Sequence, residues 1–229
     1  MRLIAAALLA CAGAAAAQDA RWEVIAGSEA EHSSEGWRIA VPKTELKYQW
    51  SPRLELGVEL SWIEVRPTGA PTSSALDAAT FAFKYQLLPE GAGFEFALAP
   101  ELARRLSRAS VRRGIASENQ EYLLGTETVF GIGRTEFEIK AGRNFVERQP
   151  DEWAFELKVT DPCMPRVDCI VNAERKLAAN DEGQTLLRLG VDVELGRGVY
   201  LRLLGGREIG PRTPGQVDRT FEAALKLFF

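Results

Sequence analysis

A histidine two residues before a serine is an arrangement that can turn a hydroxyl into a nucleophile, and His32 and Ser34 in His32-Ser33-Ser34-Glu35-Gly36 provide it. Transfer of the hydroxyl proton to the imidazole would aim such a site at ester bonds. His32 is the sole histidine of the chain, and the five residues also have the composition of a polar chain reversal, which needs no chemistry at all. Cys163 and Cys169 bracket Met164-Pro165-Arg166-Val167-Asp168, a spacing open to a disulfide across a tight turn in an oxidising compartment. Two cysteines without neighbouring histidines do not complete a tetrahedral zinc site, and no other cluster calls for a metal or cofactor. Arg104, Arg105, Arg108, Arg112 and Arg113 gather guanidinium groups, which hold phosphate oxygens in pairs, in the longest polar connection of the chain.

Most of the remaining charge follows a period of two. Glu55 and Glu59 alternate with Leu54, Leu56, Val58, Leu60 and Trp62, whereas a helix would scatter these glutamates among the leucines. Lys84 alternates with Phe83 and Tyr85, Glu95 with Phe94 and Phe96, and Glu127 with Thr126 and Thr128. Glu138 and Lys140 oppose Phe137 and Ile139, while Glu156 and Lys158 oppose Phe155, Leu157 and Val159. Arg188 and Asp192 oppose Leu187, Leu189, Val191 and Val193, and Arg202 opposes Leu201 and Leu203. About twelve such stretches follow one another, parted by turn signals such as Ser51-Pro52-Arg53, Gly131-Ile132-Gly133 and Asn180-Asp181-Glu182-Gly183. Pro42 predicts a bulge or an early edge in the second stretch, and residues 101–113 are the one place for a short helix.

The N-terminus predicts export. Met1 and Arg2 precede an apolar run over residues 3–10 and small residues at 14–17, so residues 1–17 read as a signal peptide and 18–229 as the mature domain. Leu8-Leu9-Ala10-Cys11 loosely resembles a lipoprotein box, but it stands early and lacks the glycine. No later stretch has the roughly 18 apolar residues of a transmembrane helix. A net charge of −4 offers no basic surface to a nucleic acid, and none is expected as a partner.

The chain ends on Phe221-Glu222-Ala223-Ala224-Leu225-Lys226-Leu227-Phe228-Phe229, with Phe221, Leu225, Leu227 and Phe229 on one face and Glu222 and Lys226 on the other. An outer-membrane barrel has reason to end this way, because lipid needs an apolar face and the lumen tolerates charge. The expected fold is all-β: a single closed antiparallel transmembrane β-barrel of about twelve strands in the bacterial outer membrane. Both termini would then lie in the periplasm with the reversals near Ser51, Pro89, Gly131, Asp161 and Gly196. Those near His32, Thr68, Arg108, Pro150, Asp181 and Pro211 would face outside. The cysteines fall in the periplasmic set. The arginine-rich connection would face water, meet lipopolysaccharide phosphates in the surrounding lipid, or fold into the pore. The function expected is porin-like passage of a small solute or a structural envelope role, with surplus glutamates disfavouring anions. A soluble periplasmic ligand-binding barrel uses the same alternation turned inside out, and an envelope-lipid esterase using His32 and Ser34 is the third class.

Three resemblances add to this reading. The closing residues resemble the C-terminal signal that bacterial outer-membrane proteins present to the barrel-assembly machinery, which that likeness implies as a partner. His32-Ser33-Ser34 resembles the histidine–serine motif of outer-membrane phospholipase and lipid A deacylase barrels, but Glu35 stands where the phospholipase motif has asparagine. Finally, Glu45-Leu46-Lys47-Tyr48, Phe83-Lys84-Tyr85-Gln86-Leu87-Leu88, Ala97-Leu98-Ala99-Pro100-Glu101-Leu102 and Phe228-Phe229 resemble the Gram-negative barrels named for the meta-pathway of phenol degradation. That likeness implies transport of small, hydrophobic compounds and carries over no substrate-binding residue.

Overall fold

The computed structural model describes residues 21–88, 93–106, 108–112, 115, 120–147, 150–178, 183–210 and 216–229. They form strands β1 (Trp22–Ser33), β2 (Gly36–Ser51), β3 (Leu54–Pro67), β4 (Ser73–Gln86), β5 (Phe94–Leu98), β6 (Glu101–Arg105), β7 (Glu121–Ile132), β8 (Thr135–Val146), β9 (Glu152–Met164), β10 (Val167–Ala178), β11 (Gln184–Gly196), β12 (Val199–Ile209) and β13 (Val217–Phe228). One short helix, α1 (Arg108–Arg112), lies between β6 and β7. Neighbouring strands pair antiparallel, and β13 returns to β1 from Glu23↔Phe228 to Ser33↔Val217, so the sheet closes. Closure leaves no unpaired edge for lipid or another chain to meet. The wall counts as twelve strands because β5 and β6 lie end to end between β4 and β7.

The break between β5 and β6 falls at Ala99-Pro100. Proline has no N–H to give to a ladder, so the pairing is interrupted there and resumes in the same register, Tyr85↔Leu98 before the break and Ala82↔Glu101 after it. Both neighbours still reach the break: Phe83 N–H donates to Pro100 O at 3.0 Å, and Ala99 N–H donates to Gly125 O at 2.8 Å. Near Pro42 the β2–β3 pairing skips from Ala40↔Ile63 to Lys43↔Ser61, the bulge that proline requires.

Alternation sorts the side chains by face. Trp62 and Leu189 point away from the barrel axis and are 45% and 56% exposed, while Phe137 is half-covered by Phe130 stacked at 5.2 Å. Phe81, Leu124, Trp153, Leu203 and Phe221 join them on an apolar exterior far larger than a water-soluble surface carries. Glu55, Lys140, Glu156, Arg202 and Lys226 point inward, whereas charges near one rim, such as Arg66 and Arg219, share the outward face. The soluble alternative required the reverse, with the tryptophans and leucines enclosed, and the structure overturns it.

Several expected boundaries shift. Arg104 and Arg105 belong to β6 and not to the following connection, because pairing to Ala79 and Ala78 of β4 continues through them. The short helix is confined to α1, the preceding residues being held in that ladder. β9 and β10 run on past the expected cysteine turn, which shrinks to Pro165-Arg166, and β10 starts at Val167. Likewise β7 reaches Ile132, and the turn is Gly133-Arg134, where Gly133 supplies a φ of 66°. Residues 1–20, with the signal peptide and Cys11, lie outside the described residues, as do Pro89, Asp181 and Pro211.

Candidate functional site

The inward charges meet in chains around the lumen. Lys140 on β8 stands 2.9 Å from Glu138, 3.7 Å from Glu156 and 3.8 Å from Glu127. Glu127 also pairs with Lys84, and Glu138 with Lys158 at 2.7 Å. Glu156 accepts a hydrogen bond from Asn172 at 2.6 Å, and Asn172 in turn accepts one from Arg188 Nε at 3.4 Å. Arg188 then bridges far round the wall from β11: to Glu174, to Glu222 at 3.8 Å, and to Glu29 at 3.3 Å, itself 2.8 Å from Lys43. Reaching β1 means lying across β12 and β13. Gly206 makes this possible, because a Cβ there would sit 2.7 Å from Arg188 Cγ.

Toward the end where the chain termini meet, Asp192 receives Arg202 Nε and Nη2 at 2.9 and 2.8 Å and Lys226 at 3.4 Å. Such two-pronged pairs fix a guanidinium against the wall. Lys226 also lies 5.6 Å from the Phe228 ring, which Tyr200 meets edge-on at 5.7 Å. Between these chains lies a cavity of about 420 Å³ lined by seven carboxylates, from Glu23 to Glu222, and seven cations, from Lys47 to Lys226. Ile25, Ile170, Leu204 and Phe228 complete its wall. A second cavity of about 540 Å³ opens at the terminal end between Glu136, Asp168, Arg197 and Tyr200. The paired side chains stay partly accessible from the lumen while tied to the wall.

The opposite end is built differently. A cavity of about 140 Å³ there is lined by Glu29, Glu31, Glu59 and Asp77 against only Arg38 and Lys43, with Ala40, Ser61 and Ile63. Ile115 packs with inward-facing Ala40, Ile63 and Ala75, all buried, and Val65 leans on the same cluster. Arg38 fastens it, donating to Ile115 O at 3.1 Å and to Asp77 at 2.8 Å. Of the described residues after β6, Ile115 therefore enters the barrel mouth.

The structure places the candidate residues as follows. Glu55 lies across from Lys84 and Glu59 across from Glu45, while Glu95 accepts a hydrogen bond from Gln86 at 3.4 Å. Arg104 is exposed on the outward face of β6, Arg105 is on the opposite face, and Arg112 is exposed on α1. The side chain of Arg108 and all of Arg113 lie outside the described residues. His32 faces out from β1 against Trp37 at 4.7 Å and Asp218 at 3.8 Å, while Ser34 is in the turn. No described hydrogen bond joins the two, so the nucleophile arrangement is not assembled. Cys163 and Cys169 are bonded to each other and staple the β9–β10 hairpin. Phe221, Leu225 and Leu227 face outward on β13, and Phe229 N–H donates to Trp22 O at 3.0 Å, closing the seam.

Sequence reasoning missed Asn172, Arg38, Asp77 and Ile115. Asn172 joins two halves of the charge network but carries no charge of its own. Ile115 has no alternating neighbours to mark it.

No protein-family model matches this sequence, and no curated protein sequence matches it. Solved structures do. The chain superposes on the COG4313 outer-membrane channel from Pseudomonas putida F1 with a TM-score of 0.70 at 13% identity, covering 94% of this chain and 97% of that one. The KdgM porin gives 0.65 at 9% identity over 90% and 99%, and the NanC porin 0.62 at 8% over 91% and 98%. At such identities the likeness establishes the fold, a closed twelve-stranded barrel of the outer-membrane type.

Proposed function

We propose that the protein is a narrow porin-like channel of the bacterial outer membrane that passes small polar or amphipathic solutes. One observation carries this: a closed barrel with an apolar exterior encloses a wall-anchored, charge-lined cavity of about 420 Å³ that continues to one mouth. The described ion pairs run along the wall, whereas a plug would pair side chains across the lumen. Equal numbers of carboxylates and cations around the main cavity suit net-neutral solutes carrying both signs, and the apolar contribution of Ile25, Ile170, Leu204 and Phe228 suits a small hydrocarbon portion. The sequence resemblance to the meta-pathway phenol-degradation barrels agrees with that choice. The acidic outer chamber adds a mild preference for cations over anions. The proposal includes export by cleavage near Gln18 and reading of the closing Phe229 segment by the assembly machinery.

Planar-bilayer recording of the refolded protein tests the reading. Small, steady single-channel conductance with weak cation selectivity is expected. A barrel that inserts and never conducts would leave only the structural role. His32→Ala should leave conduction unchanged and abolish no lipid hydrolysis; loss of a measurable deacylase activity in that variant would instead restore the esterase.

A further inference from the structure

The outward face near the rim opposite the termini holds a row that the channel reading does not use. Arg66 pairs across the strands with Trp37, Trp37 with His32, and His32 with Arg219. One residue beyond the Gly206↔Thr220 pair, Arg219 faces Arg207 on β12. Five adjacent strands thus present Arg66, Trp37, His32, Arg219 and Arg207 side by side on the outer surface, each within two residues of its strand end. Immediately below them the wall is lipid-facing, with Phe221 and Leu203 exposed.

Arg207 and Arg219 are both exposed and take part in no described ion pair, while the neighbouring carboxylate, Asp218, stands 3.8 Å from His32. Like charges directly opposite on neighbouring strands repel, and strand spacing holds their backbones only about 5 Å apart. An arrangement of this kind is favourable when an anion lies between the two forks, because phosphate accepts paired hydrogen bonds from guanidinium. Arg66, by contrast, is already engaged by Glu64 on its own strand. Arginines at the other end, such as Arg53, Arg134 and Arg197, stand one to a turn and are not neighbours. The side-by-side pair, the flanking aromatic and imidazole rings, and the hydrocarbon level just beneath define a headgroup-height anion site.

We propose that Arg207 and Arg219, with His32 and Trp37 beside them, bind a phosphate group of lipid A in the outer leaflet. The site rests on the outer-membrane placement of the barrel and not on conduction. It also differs from the arginines of β6 and α1, Arg104, Arg105 and Arg112.

Native mass spectrometry of the detergent-purified full-length barrel with bisphosphorylated lipid A, dephosphorylated lipid A and inorganic phosphate tests it. Wild type should retain bisphosphorylated lipid A and discriminate against the dephosphorylated form. Arg207→Gln/Arg219→Gln should weaken retention about tenfold, while Arg197→Gln in a terminal-end turn should not. Equal retention of the two lipids, unchanged retention by the double variant, or binding of inorganic phosphate without lipid A would each overturn the proposal. Heat-modifiable gel migration reports whether the variants fold. Should the double variant not fold, the wild-type preference decides the matter together with Arg219→Lys, which keeps charge but loses the fork and should weaken binding. A barrel that conducts yet ignores lipid A loses this site alone; one that fails to enter bilayers loses the channel reading as well.

Discussion

The two ends of the lumen are made from the same alternating strands and behave as opposites. Around the 420 Å³ cavity, long charged side chains pair with neighbours on the wall, Lys140 with three glutamates and Asp192 with Arg202 and Lys226. At the far end, small Ala40 and Ala75 and the aliphatic Ile63 give the wall nothing to pair with, and Ile115 fills the space they leave. The difference shows how a narrow barrel chooses between open and closed. Charges too costly to dry hold water and keep to the wall, whereas apolar inward positions attract a covering segment.

The comparison breaks most severely at Arg188, which connects to carboxylates or an amide on three other strands, β1, β10 and β13. Arg188→Leu should leave Glu29, Glu174 and Glu222 facing one another without their shared cation. A loss of roughly 2 kcal/mol or more follows, below the dry-interior figure because the lumen is hydrated. It should appear as a lower melting temperature and a diminished heat-modifiable band; unchanged stability would show the network to be ornamental. Next in size is release of the far end. Arg38→Ala removes both the tie to the Ile115 carbonyl and the pair with Asp77, and should raise single-channel conductance severalfold. An equal conductance would mean that Ile115 does not narrow the path.

A smaller effect concerns the hairpin staple. Serine at both Cys163 and Cys169 should cost about 1 kcal/mol, less than the loop-closure value, because the β9–β10 ladder already closes that short loop. Conductance should stay the same, and denaturant midpoints measured with and without reductant would check the cost. The gentlest change is Lys140→Gln, which removes one positive charge from the balanced cavity. Reversal potentials in a salt gradient should move modestly toward cation selectivity, and a move toward anions would contradict the wall-lining role.

Legibility in the sequence followed the period. Glu55 to Trp62 could be placed on faces unaided, since two-residue alternation admits one assignment once one face is known to be lipid. The break at Ala99-Pro100 was less visible, because Leu98 and Leu102 keep the phase across it. Arg104 and Arg105 looked like loop residues by charge, yet backbone pairing to β4 extends the strand through them. The short helix and Ile115 were obscured because a single turn has no periodicity to reveal.

What the sequence determined by itself is therefore the inventory of two chemical faces and roughly how many times the chain crosses, because both are local properties of alternating residues and turn signals. Which inward charges become partners, how Arg188 spans to Glu29, what covers Ala40 and Ile63, and that Arg207 stands beside Arg219 were left to tertiary structure. Those outcomes depend on strand register and on closure of β13 against β1, and register is set cooperatively by the whole sheet, not by any one strand.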